Sequence, residues 1–252
     1  MSKIFCVAGD CHGNVHAMYY HLGCLEQRLD IKIAAVLHVG DFGLYHDHRR
    51  ADSDWSAYWR GRFKIPIPTW VNLGNHEGWE EVVEWMGQPD KIPNLHLLPD
   101  GEVTDVLGLK VGAIWGNYSP KSYADPRIVA QVRNFAPNSV KAMHIYQPSV
   151  EKLKVAGEFD ILISHDSPYG VMQGRQPTAS IKKQLGIDKD EITTGCSGLN
   201  EIWETSQAKY HVWGHHHRLF HAPAHLSPIL HCCHTFSYDP ANSIYLIEVP
   251  DE

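Results

Sequence analysis

Short apolar runs that stop at a glycine or serine and then present a metal-capable side chain recur along this chain. No other feature limits the possible fold so strongly. The runs are Ile4–Ala8 before Gly9-Asp10-Cys11-His12, Ile33–Val39 before Gly40-Asp41, and Thr69–Leu73 before Gly74-Asn75-His76-Glu77. Ile161–Ser164 before His165-Asp166 and Lys209–Trp213 before Gly214-His215-His216-His217 complete the set. Apolar runs of this length, bounded by turn residues, read as buried strands. After the first of them the apolar spacing turns helical, with Val15, Met18, Leu22, Leu25 and Leu29 on one face. Strands alternating with helices predict βαβ units and a parallel sheet. In such sheets ligands bind outside the carboxyl ends of the strands, so all five ends can meet in one crevice.

The rest of the chain fits around that plan. Residues 43 to 62 read as a loop and then a helix, and Trp79 to Met86 as another helix. Leu95–Leu98, Glu102–Val106 and Lys110–Trp115, split by Asp100-Gly101 and Leu107-Gly108, are expected to be hairpins of a second sheet. Residues 116 to 146, with Pro120, Pro126 and Pro137, read as an irregular insertion over the site. Helices are expected from Ser149 to Ala156 and from Leu199 to Thr205, with a long loop over 167 to 195 between them. Short strands are expected near Ile229–His231 and Ile244–Val249. With no repeat, low-complexity tract or linker, the simplest organisation is one domain over residues 1 to 252.

The donors at the five ends are nitrogen and oxygen, with Cys11 the one interposed thiol. That set suits manganese, iron or zinc and disfavours a structural zinc site, which is usually thiolate-rich. There are too many donors for one ion. Asp41, alone at its strand end, is placed to bridge two cations, and a pair of cations can clamp a phosphoryl group and activate a shared water. Any one of these motifs has an ordinary structural reading, since Asp10 or Asp41 could cap a helix and His165 could be a satisfied core histidine. Their recurrence at successive strand ends favours the metal reading over independent accidents.

Five together resemble the motifs of the calcineurin-like metallophosphoesterases. Asp10-x-His12, Gly40-Asp41, Gly74-Asn75-His76-Glu77, His165 and Gly214-His215-x-His217 come in that family's order. The resemblance implies a four-layer αββα sandwich of two mixed β-sheets flanked by helices. It implies that Asp10, His12, Asp41 and His217 hold one metal and that Asp41, Asn75, His165 and His215 hold the other. His76 would then bind no metal but protonate the leaving oxygen or stabilise the transition state, and a bridging hydroxide would attack phosphorus in line. The layout of GNHE, a hairpin region ending near Trp115-Gly116, and Ser164-His165-Asp166-Ser167-Pro168 is also similar to the RNA lariat debranching branch of the superfamily. Asp10 departs from that branch, which commonly has cysteine there, so the likeness is one of layout and does not identify a substrate.

The expected function is therefore a metal-dependent phosphoesterase acting on a phosphodiester, nucleotide or nucleic-acid derived, with two manganese ions as first choice. A phosphomonoesterase, including a phosphoprotein phosphatase, is the nearest rival, and a non-catalytic scaffold on the same fold is a more distant one. A net charge of -7 disfavours an extended nucleic acid or an anionic membrane as partner and leaves a small molecule or nucleotide in favour. No segment reaches the length needed to span a bilayer. The six cysteines show no CxxC spacing, as expected of free thiols in the cytoplasm. Nucleophile-elbow, P-loop and dinucleotide fingerprints are absent. Of the remaining histidines, His46 and His48 are candidates to touch substrate, whereas His16, His21, His96, His144, His211, His216, His225 and His231 are expected to pack or to face away. Tyr45, Trp79, Tyr118, Tyr123 and Tyr169 are expected to pin loops or stack a base, and Arg49, Arg50, Arg175 and Arg218 are candidate phosphate forks.

Overall fold

The structure, a computed structural model, describes residues 2–45, 54–135, 139–171, 195–217, 220–222, 229–232 and 243–250. The candidates His46, His48, Arg49, Arg50, Arg175, Arg218 and His225, and most of the expected 167–195 loop, lie outside the described residues. In chain order the elements are β1 (Lys3–Ala8), α1 (Val15–Leu29), β2 (Ile33–His38), α2 (Trp55–Trp59), β3 (Thr69–Val71), α3 (Trp79–Gly87), β4 (Leu95–Leu97), β5 (Glu102–Val106) and β6 (Leu109–Ile114). There follow α4 (Pro120–Ala124), α5 (Arg127–Phe135), a 3-10 turn (Val140–Met143), α6 (Gln147–Lys154), β7 (Ile161–Ser164), α7 (Ser197–Ser206), β8 (Tyr210–Trp213), β9 (Phe220–Ala222), β10 (Ile229–Cys232) and β11 (Ile244–Val249).

Two sheets carry the chain. One has the order β11-β1-β2-β3-β4 and the other β5-β6-β7-β8-β10-β9. β1 to β4 are mutually parallel, with β11 antiparallel at one edge. β6, β7, β8 and β10 are parallel, with β5 and β9 antiparallel at the edges. Because side chains alternate along a strand, each strand feeds two different cores. Phe5, Val7, Ala35 and Leu37 meet Val111, Ala113, Ile161, Ile163 and Val212 in the apolar layer between the sheets. Cys6, Ala8 and Val36 face the other way and pack on Val15, Met18 and Leu22 of α1. Ile114 and Leu162 pack on Val150 and Leu153 of α6 and on Leu199 and Ile202 of α7. The result is the expected αββα sandwich.

Three expectations need correction. β4 does not belong to the second sheet: it pairs parallel with β3, Thr69 opposite Leu95. α3 serves as the crossover of a βαβ unit, and a crossover delivers a strand parallel to the one it left. The hairpin is formed by β5 and β6 alone, and Leu107 and Gly108 both take the positive φ that a tight hairpin turn demands. Residues 116 to 146 are not irregular, since α4, α5 and a 3-10 turn occupy most of the described part. Pro120 stands in the first turn of α4, where its missing N–H costs nothing. β9 was not expected at all.

The parallel strands of each sheet point their carboxyl ends the same way, and hydrogen bonds tie those ends together. The Asp10 N–H donates to the Gly40 carbonyl at 3.0 Å, His12 N–H to Asp41 at 2.8 Å, and Gly214 N–H to His165 at 3.1 Å. Gly116, at the end of β6, donates to the Leu73 carbonyl across the two sheets at 2.8 Å.

Candidate metal centre

The ends of β1, β2 and β8 break their extended conformation at once. Among the described residues nine non-glycine residues have positive φ, and five are Asp10, His12, Asp41, His215 and His217. Aspartate and histidine tolerate this region better than most residues, yet it remains sparsely populated, and holding a residue there costs on the order of 1 kcal/mol. These turns are therefore not extended, and His215 and His217, two positions apart, are both left-handed and meet different partners.

The glycines before the donors have a steric reason. A Cβ at Gly74 would fall on the Asp41 carboxylate, one at Gly214 on that of Asp10, and one at Gly40 on the His165 imidazole. Each donor thus sits against the backbone of a neighbouring strand end. The cradle exists only while those positions lack a side chain.

Two clusters result, sharing Asp41. In the first, donor atoms of Asp10, His12, Asp41 and His217 all lie within 4.8 Å of one another. His12 Nε2 is 3.0 Å from His217 Nε2 and 3.7 Å from Asp41 Oδ2, and His217 Nε2 is 3.4 Å from Asp10 Oδ1. In the second, His165 Nε2 lies 3.3 Å from Asp41 Oδ1 and 3.0 Å from Asn75 Oδ1, with the His215 ring 5.2 Å from its own, centre to centre. His165 Nδ1 faces the Val39 carbonyl at 3.0 Å, a contact that protonates Nδ1 and leaves Nε2 free as a ligand atom. Among the described residues Asp41 Oδ2 is buried and has no hydrogen-bond partner. A fully buried carboxylate oxygen facing imidazole nitrogens, with no proton donor beside it, fits a metal ligand.

The charges follow from these contacts. Burial opposes ionisation of Asp41, but His165, His76 and His12 outweigh it and hold the carboxyl below the usual range. Burial likewise opposes protonation of His165, yet Asp41 beside it raises the imidazole to about 10. Burial pushes His215 down to about 4 and lowers His12, whereas the hydrogen bond to Asp10 raises His217.

A family model described as calcineurin-like phosphoesterase matches residues 4–219, and with them both clusters. The chain belongs to that family. Among curated relatives, lariat debranching enzymes are similar over most of it. That of Schizosaccharomyces pombe is 27% identical over 231 residues, 87% of this chain and 49% of the relative. The Homo sapiens enzyme is 26% identical over 234 residues, 86% of this chain and 42% of the relative. This chain thus spans less than half the length of those two relatives. Of solved structures, a Thermus thermophilus protein matches with a TM-score of 0.57 at 14% identity, covering 99% of this chain and all of its own. A dimetal phosphatase from Danio rerio matches with 0.55 at 11% identity, covering 99% and 93%. Those likenesses establish the fold.

All seven donors that the family resemblance singled out come together. His76, by contrast, is exposed at the rim: its backbone N–H donates to Asp41 Oδ1 at 2.8 Å and its ring stands 5.1 Å from that of His12. Cys11 turns away from the donors into the core, where Sγ meets Met18 and His38 Nε2. The expected packing of His144 on Ser122 and His211 on Ser164 is also found, and Tyr118 packs edge-on against Tyr123 as a loop pin.

Two residues the sequence analysis passed over support the family motifs from behind. Glu77 accepts the backbone N–H groups of Phe42, Gly43 and Leu44 at 2.8 to 2.9 Å, fixing the loop that leaves Asp41. Burial and the Asp41 carboxylate push it up to about 7 against those donors. Asp166 accepts from Tyr118 N–H at 2.7 Å and Ser167 N–H at 2.8 Å, and contacts His216 Nε2 at 3.0 Å. It joins the His165 end, the middle of the His215–His217 turn and the start of the 116–146 segment. The signal for both was adjacency to a donor, which periodicity does not register.

Proposed function

We propose that this chain is a dinuclear metal-dependent phosphoesterase that hydrolyses a phosphodiester, nucleotide or nucleic-acid derived. The observation that carries the reading is Asp41: one carboxylate reaches a His/Asp cluster through Oδ2 and a His/Asn cluster through Oδ1. That is the arrangement a bridging ligand needs. Asp10, His12, Asp41 and His217 would hold one divalent ion, and Asp41, Asn75, His165 and His215 the other. Manganese is the first choice, with iron or zinc as alternatives. Two such ions would neutralise charge on the phosphoryl oxygens and bring a water to near-neutral acidity.

The chain's own residues supply the rest. The Asp41 carboxyl stays ionised, the second nitrogen of His165 is fixed by Val39, and left-handed turns hold five of the seven donors before any ligand arrives. His76 lies at the open rim, beside His12 and outside both clusters, where it would give a proton to the leaving oxygen. The 116–146 segment, tied to Asp166 through Tyr118, would cover the site, and residues 1–252 would act as one domain. The lariat debranching relatives favour a diester over a monoester. Among the described residues no helix is long and apolar enough to cross a membrane.

The test is a chelated and then manganese-reconstituted protein assayed on bis-p-nitrophenyl phosphate and p-nitrophenyl phosphate. Metal-dependent cleavage with preference for the diester is expected. Faster turnover of the monoester, or turnover indifferent to chelation, would overturn the reading.

A further inference from the structure

A cavity of about 610 Å³ lies between α3, α5 and the start of α6, and none of the donor residues lines it. Its walls are aromatic, with Trp79, Trp85, Trp115 and Tyr146. Into this box the chain places a cation. The Arg133 guanidinium stacks 4.6 Å from the centre of the Trp79 ring and 5.6 Å from that of Tyr146. Its Nε donates to the Ala142 carbonyl at 2.9 Å. Nη1 approaches Asp100 Oδ2 only to 3.9 Å, too far for a hydrogen bond, and Nη2 is buried with no partner among the described residues. A largely buried guanidinium with Nη2 unfilled is costly, and it marks a place where an acceptor fits.

The lining selects the ligand. Flat aromatic faces beside a stacked guanidinium favour a planar π system. Asp90, Asp100 and Glu102 also line the cavity and would repel a phosphate or carboxylate, while they can accept N–H donors. A purine base meets both demands: ring acceptors for Arg133, amino or ring N–H groups for the carboxylates, and a two-ring face for the indoles. A volume of this size lies within the range of small-ligand pockets.

We propose that this cavity binds a purine base. Trp79 stands three positions after His76, so their Cα atoms are at most about 11 Å apart. A base held against Trp79 would then be that of a nucleotide whose phosphate is at the metal centre, and in that role the proposal rests on the phosphodiesterase reading. Binding itself does not depend on it.

The experiment uses the full chain in EDTA, titrated with adenosine, guanosine, uridine and inorganic phosphate by calorimetry and tryptophan fluorescence. Saturable binding of a purine nucleoside with quenching is expected, and none by uridine or phosphate. Arg133→Gln should weaken it by about tenfold, the scale of a lost charge-assisted hydrogen bond. Because Arg133 also anchors α5, a second variant is needed. Met86, 53% exposed and part of the lining, changed to Trp should fill the opening and weaken binding as much without lowering the melting temperature. No purine binding, equal binding of uridine or phosphate, or wild-type affinity in Met86→Trp would overturn the proposal. Chelation and the lack of a phosphoryl group separate that failure from a failure of the hydrolytic reading.

Discussion

The two donor clusters share one carboxylate but differ in how deep their histidines sit. The His165 side chain is fully buried, whereas those of His12 and His217 remain 18% and 38% exposed; Asn75 and His215 are half-buried. The His165 cluster draws on both sheets, Asp41 and Asn75 from the first and His165 and His215 from the second, and is backed by the Val39 carbonyl and by Asp166 next in sequence. The other cluster joins the ends of β1 and β8 and has His76 at its rim. The difference separates two tasks. An enclosed site holds geometry and raises the cost of losing a partner, while an open one gives substrate a way in.

The comparison breaks most completely at the shared carboxylate. Asp41→Asn should remove both ions, measured as metal stoichiometry, and lower diester cleavage by about three orders of magnitude or more. Two ions still bound per chain would mean that Asp41 does not bridge. A finer cut compares His165→Ala with His217→Ala. Each should lose one ion, but the first also opens a cavity at a fully buried side chain and should cost roughly 2–4 kcal/mol of stability, against under about 1 for the second. Equal losses in denaturant unfolding would erase the distinction between the clusters.

Smaller again is Asp166→Asn. An amide can still accept one hydrogen bond but cannot accept two backbone N–H groups and meet His216 as well. Metal affinity should fall about 10- to 100-fold, the usual scale for an outer partner of a metal ligand, with the fold's melting temperature little changed. Unchanged metal affinity would reduce Asp166 to a loop pin.

The smallest effect is one of sign. In metal-free protein His215 is pushed down to about 4 by burial and His217 is raised by Asp10. For His215 the neutral form is favoured in the fold. Its contribution to stability is present above about 6.5 and lost as pH falls toward 4. For His217 the protonated form is favoured, so its contribution is present below 6.5 and lost as pH rises through its folded value. Two histidines two positions apart should therefore titrate on opposite sides of the ordinary histidine value, read by histidine nitrogen shifts in EDTA. Matching titrations would show that the two positions do not differ electrostatically.

Much of this was legible in the chain. Alternation within Phe5-Cys6-Val7-Ala8 and helical spacing from Val15 onward are local patterns. So is a glycine before a donor, because the glycine answers a clash that any side chain at that position would create. These settled the strands, the helices and the donors to watch. Partnership was different. That Leu95–Leu97 joins β3 depends on a crossover whose direction no short window records. Likewise, the pairing of Asp41 with His165, of Asp166 with Tyr118, and of Arg133 with Trp79 joins residues from 48 to 124 positions apart. Residue type and spacing report what each segment can offer. Which offers meet is decided by how two twisted sheets pack, since a contact's energy depends on distance in space while the pattern carries only distance along the chain.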